Sequence, residues 1–292
     1  MTESSHGHPG AGASAADGVQ PVGATAEQPE PRPRRDGAAA GPEAGGTITL
    51  QVLRYRPDRE DAPYLQDFEV PWRTETSVLD ALTWVKDNLE PSLTFRWSCR
   101  MAICGSCGFM LNGEPKLGCE SFVRDYAPGP LRIEPLANHA VERDLVVDLE
   151  PFMASLRAVQ PYVISDDRHP VPEPGNRQTP EQMVAYGQYS QCINCMLCYA
   201  ACPQVGLATD FLGPAAVTLA VRYNKDSRDH GADSRLPILD NEGGIWPCTF
   251  VGACSTVCPK GVDPAAAIQQ AKGATAQAWA AEFILPHRGE GR

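Results

Sequence analysis

The chain has 292 residues and a formal net charge of −11, from 36 acidic and 25 basic side chains. Lysine and arginine form no cluster that could neutralise phosphates, so we expect no nucleic-acid partner. No stretch reaches the roughly 18 consecutive apolar residues of a membrane-spanning helix, and the N-terminus lacks the apolar core of a signal peptide. Without export the 11 cysteines stay reduced, and an odd number cannot all pair, which favours metal binding over disulfides.

Residues 1–46 contain nine Gly, ten Ala and six Pro but no Phe, Trp or Tyr. This composition offers too little apolar surface to offset the entropy that ordering would cost. We therefore predict a disordered tail over residues 1–46.

In the next hundred residues, the apolar residues first occur at every second position, as in a strand, then at helical spacing, and then at every second position again. It predicts a small mixed sheet crossed by one helix, with the first cysteine group in a loop. We place this domain at residues 47–147. The predicted elements are a strand at Thr47–Val52, a strand at Gln66–Val70, a helix between Thr76 and Leu89 capped by Thr76 or Ser77, a cysteine-rich loop at Cys99–Cys119, and a strand at Leu131–Ile133.

The remainder, residues 148–292, is predicted to be a helical domain that carries two further cysteine groups. A C-terminal helix is expected at Pro264–Phe283, because Asp263 can cap it and Pro264 suits its first turn. Gly273 weakens the prediction for the far end of this helix.

In the first cysteine group, four residues separate the first and second cysteines, two residues separate the second and third, and the fourth cysteine lies further along the chain. This is the plant-type arrangement for a 2Fe-2S cluster. Gly105 and Gly108 are expected to let the backbone fold closely around the inorganic sulfides, with N–H groups pointing inward. Zinc sites usually take two short pairs with a longer spacer and fit this spacing poorly. The predicted ligands are Cys99, Cys104, Cys107 and Cys119.

The second and third groups share the frame of the bacterial ferredoxin run, in which the fourth cysteine binds the neighbouring cluster. In the third group, Val251 stands where a cysteine would be. Exchange of the fourth cysteines gives a 4Fe-4S cluster on Cys192, Cys195, Cys198 and Cys258. The other cluster keeps only Cys202, Cys248 and Cys254, so a 3Fe-4S centre is its natural occupant, although water or another ligand could hold a fourth iron.

Three centres, with no nucleophile constellation, phosphate loop or flavin fingerprint, indicate a path for single electrons between a donor and an acceptor elsewhere. Five motifs carry a family resemblance: SCRMAICGSCG at 98–108, PKLGC at 115–119, CINCMLCYAACPQ at 192–204, RYNKDSRDH at 222–230 and CTFVGACSTVCPK at 248–260. Over about Thr47 to Thr275 the chain closely resembles the iron–sulfur subunit of fumarate reductase.

This resemblance implies an α+β chain, with an N-terminal β-grasp domain like plant-type ferredoxins followed by an α-helical domain like bacterial ferredoxins. It also implies a complex with a flavoprotein that carries FAD and interconverts fumarate and succinate, and with one or two membrane anchors that bind quinone, menaquinone being favoured. The chain would then lie at the cytoplasmic face of the cell membrane. The 2Fe-2S centre would face the flavoprotein and the 3Fe-4S centre the quinone.

Family quinone contacts correspond to Thr249, Phe250, Gln269 and Lys272 in this sequence. Succinate dehydrogenases often carry Trp just after the Cys-Pro that matches Cys202-Pro203, whereas residues 204–207 here look more like fumarate reductases. The 222–230 motif is either a charged helix end or a subunit contact, and the sequence leaves both open.

Three alternatives remain from the sequence. Within the family, the subunit could serve succinate oxidation, because direction depends on the quinone and the flavin. Outside it, the chain could be a freely diffusing polyferredoxin or the iron–sulfur subunit of an unrelated dehydrogenase. A zinc-stabilised interaction module is the third.

Overall fold

The computed structural model describes residues 46–165, 177–207 and 210–284. All of the predicted disordered tail except Gly46 lies outside these residues. The first part of the described chain contains a five-stranded mixed sheet. Its strands are β1 (Thr47–Arg54), β2 (Tyr64–Pro71), β3 (Gly108–Leu111), β4 (Glu114–Leu117) and β5 (Leu131–Glu134).

The sheet has the order β2-β1-β5-β3-β4, in which β1 and β5 are parallel and the other neighbours are antiparallel. Helix α1 (Val78–Asn88) buries its apolar side, including Leu82 and Val85. Ser77 caps the helix, and the Asp80 side chain accepts from the Ser77 backbone in return, which completes a capping box. The predicted sheet and the helix that crosses it are both confirmed.

The predicted loop at 99–119 is in part wrong, because β3 and β4 form a hairpin inside it. Its turn contains Asn112 and Gly113, both with positive φ (48° and 81°), which suits the twist of a tight hairpin. The Asn-Gly pair was the available sequence signal. The hairpin brings the ends of its strands together, so that the Gly118 N–H donates to the Cys107 carbonyl at 2.7 Å. This explains why Cys119 can join a group that ends twelve residues earlier, at Cys107.

A short hairpin of β6 (Val141–Arg143) and β7 (Val146–Val147) leads into the helical part. The helices are α2 (Glu150–Ala158), α3 (Pro180–Gly187), α4 (Leu197–Ala200), α5 (Pro203–Gly206), α6 (Pro214–Asn224), α7 (Ala232–Leu239), α8 (Ala253–Thr256) and α9 (Pro264–Ile284). No helix in the described part of the chain is long and apolar enough to cross a membrane.

The predicted C-terminal helix is confirmed as α9, which continues through Gly273. The Asp263 carboxylate accepts from the Ala266 N–H at 2.9 Å, as expected of the cap. Helix α9 packs on α6, whose Val217 and Ala220 are fully buried. This pair of helices forms the support on which the cysteine-bearing segments rest.

Sheet and helices share one continuous apolar core, in which Leu136 and Val147 of the first part join Phe152 and Tyr199 of the second. The Tyr199 ring meets Phe152 edge to face at 4.9 Å between centroids. The α+β fold class is confirmed. The domain boundaries at 46/47 and 147/148 stay predictions.

Candidate functional site

The first cysteine group lies in a loop whose backbone turns its N–H groups toward sulfur. Five N–H groups of residues 99–104 donate to the sulfurs of Cys99, Cys104 or Cys119 at 3.3 to 3.4 Å. Arg100 and Ala102 make this possible by adopting left-handed conformations, with φ of 58° and 56°. Converging N–H dipoles stabilise negative charge, so the loop suits thiolates around a cluster.

The two glycines of this loop differ in backbone conformation and share a second contact. Gly105 does adopt a positive φ of 73°, but Gly108 does not, and non-glycine residues make the other left-handed turns. The side of each glycine where a Cβ would stand faces the loop around Cys195 rather than the first group of sulfurs. Both glycines therefore serve a contact between two cysteine groups.

The second and third groups have the same backbone path, which the sequence repeat predicts. Asn194 and Met196 have φ of 54° and 64°, and the equivalent Phe250 and Gly252 have φ of 61° and 80°. Each loop then enters a one-turn helix, α4 or α8, that carries the third position of its group. Val251 consequently occupies the place that Cys195 takes in the second group.

Two cavities separate the thiols of these groups into a set of four and a set of three. The first cavity is lined by Cys192, Cys195, Cys198 and Cys258. The second is lined by Cys202, Cys248 and Cys254 together with Val251. The fourth cysteine of each group thus faces the cavity of the other.

Burial makes several of the cysteine thiols poor acids. It raises the pKa of Cys195 and of Cys254 to about 11, and the charges of Cys192 and Cys258 contribute at Cys195. Burial likewise raises the pKa of Cys107 to about 12. The thiol of Cys104 differs, because the Cys99 N–H holds its pKa at about 6. The buried thiols therefore need positively charged iron beside them to bind as thiolates.

The donors present fit iron–sulfur clusters. Four thiols line one cavity and three line the other, and backbone N–H groups donate to the sulfurs of the first group. Iron and sulfide atoms fill the space between the ligands of a cluster, so its thiols stand around a cavity. The residues present therefore fit iron–sulfur clusters.

The four predicted quinone contacts lie near the three-thiol cavity in different ways. Thr249 and Phe250 line it, and the Phe250 side chain is 59% exposed. Lys272 of α9 donates to the backbone carbonyl of Cys248 at 2.7 Å, and its ammonium is 5.8 Å from the Trp246 ring centroid. The buried amide nitrogen of Gln269 finds no hydrogen-bond partner among the described residues.

The charged 222–230 motif forms ion pairs at the end of α6. The Asp226 carboxylate accepts from Arg222 at 2.9 Å and from Arg228 at 2.8 Å, and these bonds, that to Arg228 first, lower the pKa of Asp226 to about 2. Asp229 pairs at 2.7 Å with Arg235, which is fully buried and which the sequence analysis missed. This geometry fits the helix-end interpretation of the motif.

The sequence analysis also missed Asn138. Its side-chain amide donates to the carbonyls of Tyr199, Ala200 and Cys202 at 2.9 to 3.2 Å. These carbonyls belong to the segment of chain that connects the four-thiol set to the three-thiol set. A single Asn in a loop, more than sixty residues earlier in the chain, gives no sequence signal for this contact.

We expect Asn138→Ala to lower the free energy of unfolding by about 1 kcal/mol and to speed the loss of cubane absorbance to an iron chelator. Asn112→Ala is the matched control, because Asn112 also has a positive φ and one side-chain bond, to the Arg132 N–H, away from the thiol sets. Equal chelation rates in the two variants would show that Asn138 does not hold the cysteine segment.

Comparison with known proteins agrees with this geometry. A 2Fe-2S iron–sulfur cluster binding domain matches residues 49–154, and a 4Fe-4S dicluster domain matches residues 188–262. The fumarate reductase iron–sulfur subunit of Haemophilus influenzae is 53% identical over 249 residues, which cover 82% of this chain and 97% of the relative.

The succinate dehydrogenase iron–sulfur subunit of Paracoccus denitrificans is 37% identical over 225 residues, covering 76% of this chain and 86% of the relative. A chain of the Mycobacterium smegmatis Sdh1 complex in the apo form shares the fold, with a TM-score of 0.71 at 23% identity over 84% of this chain and all of that one. The chain belongs to the family of iron–sulfur subunits of fumarate reductases and succinate dehydrogenases, the electron-transfer components of these oxidoreductases.

Proposed function

We propose that this chain relays single electrons between menaquinol, held by a membrane anchor, and the FAD of a flavoprotein that reduces fumarate to succinate. Three adjacent thiol sets in one compact unit carry the proposal. When bound, the clusters supply one-electron oxidation and reduction without any bond being made or broken in a substrate. The chain itself contributes the ligands, their spacing and the surfaces at both ends.

The proposed ligands are the 11 cysteines, four for 2Fe-2S, four for 4Fe-4S and three for 3Fe-4S. Electrostatic contacts support adjacency of the two cubane sets: the charges of Cys195, Cys192 and Cys254 add to the burial that raises the pKa of Cys198. The charges of Cys202 and Cys248 likewise contribute to the raised pKa of Cys254. The line of sets runs from the sheet domain to α9.

Exposed apolar side chains surround both ends of this line and support two docking surfaces. Met101 and Ile103 of the first loop are 68% and 57% exposed, which suits contact with a flavoprotein. Phe250 and Val251 are similarly exposed beside the three-thiol cavity, which suits an anchor and its quinone. We place the chain at the cytoplasmic face of the cell membrane, held there by one or two such anchors.

Fumarate reduction is favoured over succinate oxidation by the higher identity to a fumarate reductase subunit, 53% against 37% for the succinate dehydrogenase relative. The test is to purify the complex from membranes and to measure both reactions with menaquinone and ubiquinone analogues. Faster fumarate reduction with the menaquinol analogue supports the proposal. Faster succinate oxidation with ubiquinone would assign the chain to a succinate dehydrogenase, and isolation without flavoprotein or anchor would indicate a free electron carrier.

A further inference from the structure

The loop of the first thiol set presses against the loop of the second at two glycines. A Cβ placed on Gly105 would lie 2.8 Å from the Cβ and 2.9 Å from the Cα of Cys195, and 3.0 Å from the carbonyl oxygen of Ile193. Side-chain carbons essentially never approach so closely. Only a glycine allows the backbone to reach this position.

Gly108 makes a second contact with the same loop. A Cβ there would lie 3.3 Å from the Cys195 carbonyl oxygen, 3.2 Å from a terminal methyl of Leu197 and 3.1 Å from a terminal methyl of Leu136. Gly108 has no positive φ, so its backbone conformation does not explain the glycine. Gly105 and Gly108 each directly follow a cysteine of the first set, so both contacts join ligand-bearing backbone to ligand-bearing backbone.

We infer that Gly105 and Gly108 are positioning residues that set the distance between the first and second thiol sets, and with it the rate of single-electron transfer across this junction. The inference rests on the proposed function. One electron leaves one centre and enters the other, with no proton moved and no bond broken. Because electron tunnelling falls steeply with distance, a small separation of the two loops slows this step.

The test is Gly105→Ala in the assembled complex. To bring the new methyl from 2.8 Å to ordinary contact, the loops must separate by roughly 0.7 Å or more. Electron paramagnetic resonance measures the spin-relaxation rate of the reduced 2Fe-2S cluster with the neighbouring 4Fe-4S cluster oxidised and then reduced. The increase in this relaxation rate when the 4Fe-4S cluster is reduced reports the interaction of the two spins. This interaction weakens as the distance between the clusters grows. We expect a smaller increase in Gly105→Ala, together with slower electron transfer after rapid mixing with reductant.

Gly113→Ala is the matched control. Gly113 has a φ of 81°, close to the 73° of Gly105, but no atom lies within 4 Å of its would-be Cβ. This variant therefore carries the same backbone strain without the steric contact. Its spin interaction should equal that of the wild-type complex.

An unchanged spin interaction in a fully loaded Gly105→Ala complex overturns the inference. If that variant fails to assemble, the same measurement on Gly108→Ala decides, since its φ is ordinary and its methyl would stand 3.3 Å from the Cys195 carbonyl oxygen; an unchanged spin interaction there also overturns the inference. A wild-type complex with all clusters and normal activity but no spin interaction also overturns the inference and leaves the proposed function intact. A wild-type complex that lacks one of the clusters contradicts the proposed function instead.

Discussion

Replacing Val251 with cysteine is expected to convert the proposed 3Fe-4S centre toward a 4Fe-4S cluster. Val251 lines the cavity of Cys202, Cys248 and Cys254, so a thiolate there completes a set of four. A fourth thiolate ligand holds an iron at the fourth corner of the cubane. Three cysteines alone do not favour retention of that iron. The oxidised variant should lose most of its 3Fe signal in electron paramagnetic resonance, because an oxidised low-potential 4Fe cluster is silent.

The backbone already has the geometry that this substitution needs. Val251 stands between two left-handed residues, Phe250 and Gly252, just as Cys195 stands between Asn194 and Met196. The one-turn helices that follow share the same hydrogen bonds, such as Ala201 N–H to the Leu197 carbonyl and Val257 N–H to the Ala253 carbonyl. A thiol at position 251 therefore points into its cavity as that of Cys195 does, without rearrangement of the loop.

Val251→Ser is the matched control, because serine has a size close to that of cysteine but offers no thiolate. Its 3Fe signal should stay. Val251 is 64% exposed, so an unused cysteine would react with a thiol reagent. An intact 3Fe signal with position 251 labelled would show that the ligand exchange, or the position of the gap, is assigned wrongly.

Local sequence signals predicted much of the fold. Strand β1 and helices α1 and α9 follow from apolar periodicity and from caps at Ser77 and Asp263, which act within a few residues. The cysteine spacing likewise predicted that the second and third groups share one backbone path, since the repeat of one loop dictates a repeat of backbone conformation. Such features depend only on residues that are close together in the sequence, so a single sequence is enough to predict them.

Contacts between distant segments could not be predicted in this way. Asn138 binds carbonyls more than sixty residues later in the chain, and Gly105 meets Cys195 across the two parts of the molecule. Buried Arg235 similarly satisfies the carbonyls of Gln160 and Tyr162 as well as Asp229. Each residue has an unremarkable local pattern, and only the packing of the finished fold gives it a partner.

Lys272→Leu is expected to lower quinone-linked activity about ten- to hundred-fold while all three clusters remain. An ammonium near a quinone oxygen can stabilise negative charge there or donate a proton. Loss of one hydrogen bond from a charged group costs roughly 1.5 to 3 kcal/mol, which corresponds to that change in rate if the contact forms in the transition state. Fumarate reduction driven by an artificial dye, which supplies electrons without quinone, should stay near normal.

Two further variants separate the effect at the quinone from a general loss of charge. Lys225→Leu removes an exposed lysine at the end of α6 and should leave both assays unchanged. Lys272→Arg keeps a positive donor and should restore part of the quinone-linked activity, although a guanidinium differs in shape from an ammonium.

The hydrogen bond from Lys272 to the Cys248 carbonyl gives Lys272 a second role that this experiment must distinguish from a quinone contact. At 2.7 Å the ammonium holds the backbone of a proposed cluster ligand, so Lys272 could act by positioning Cys248 rather than by meeting quinone. A positioning role alone would change the line shape or the potential of the 3Fe signal and would slow both assays. A quinone contact would leave that signal in place and slow only the quinone-linked reaction. Normal rates in both assays would contradict the proposed contact and leave Lys272 as a structural brace between α9 and the third cysteine group.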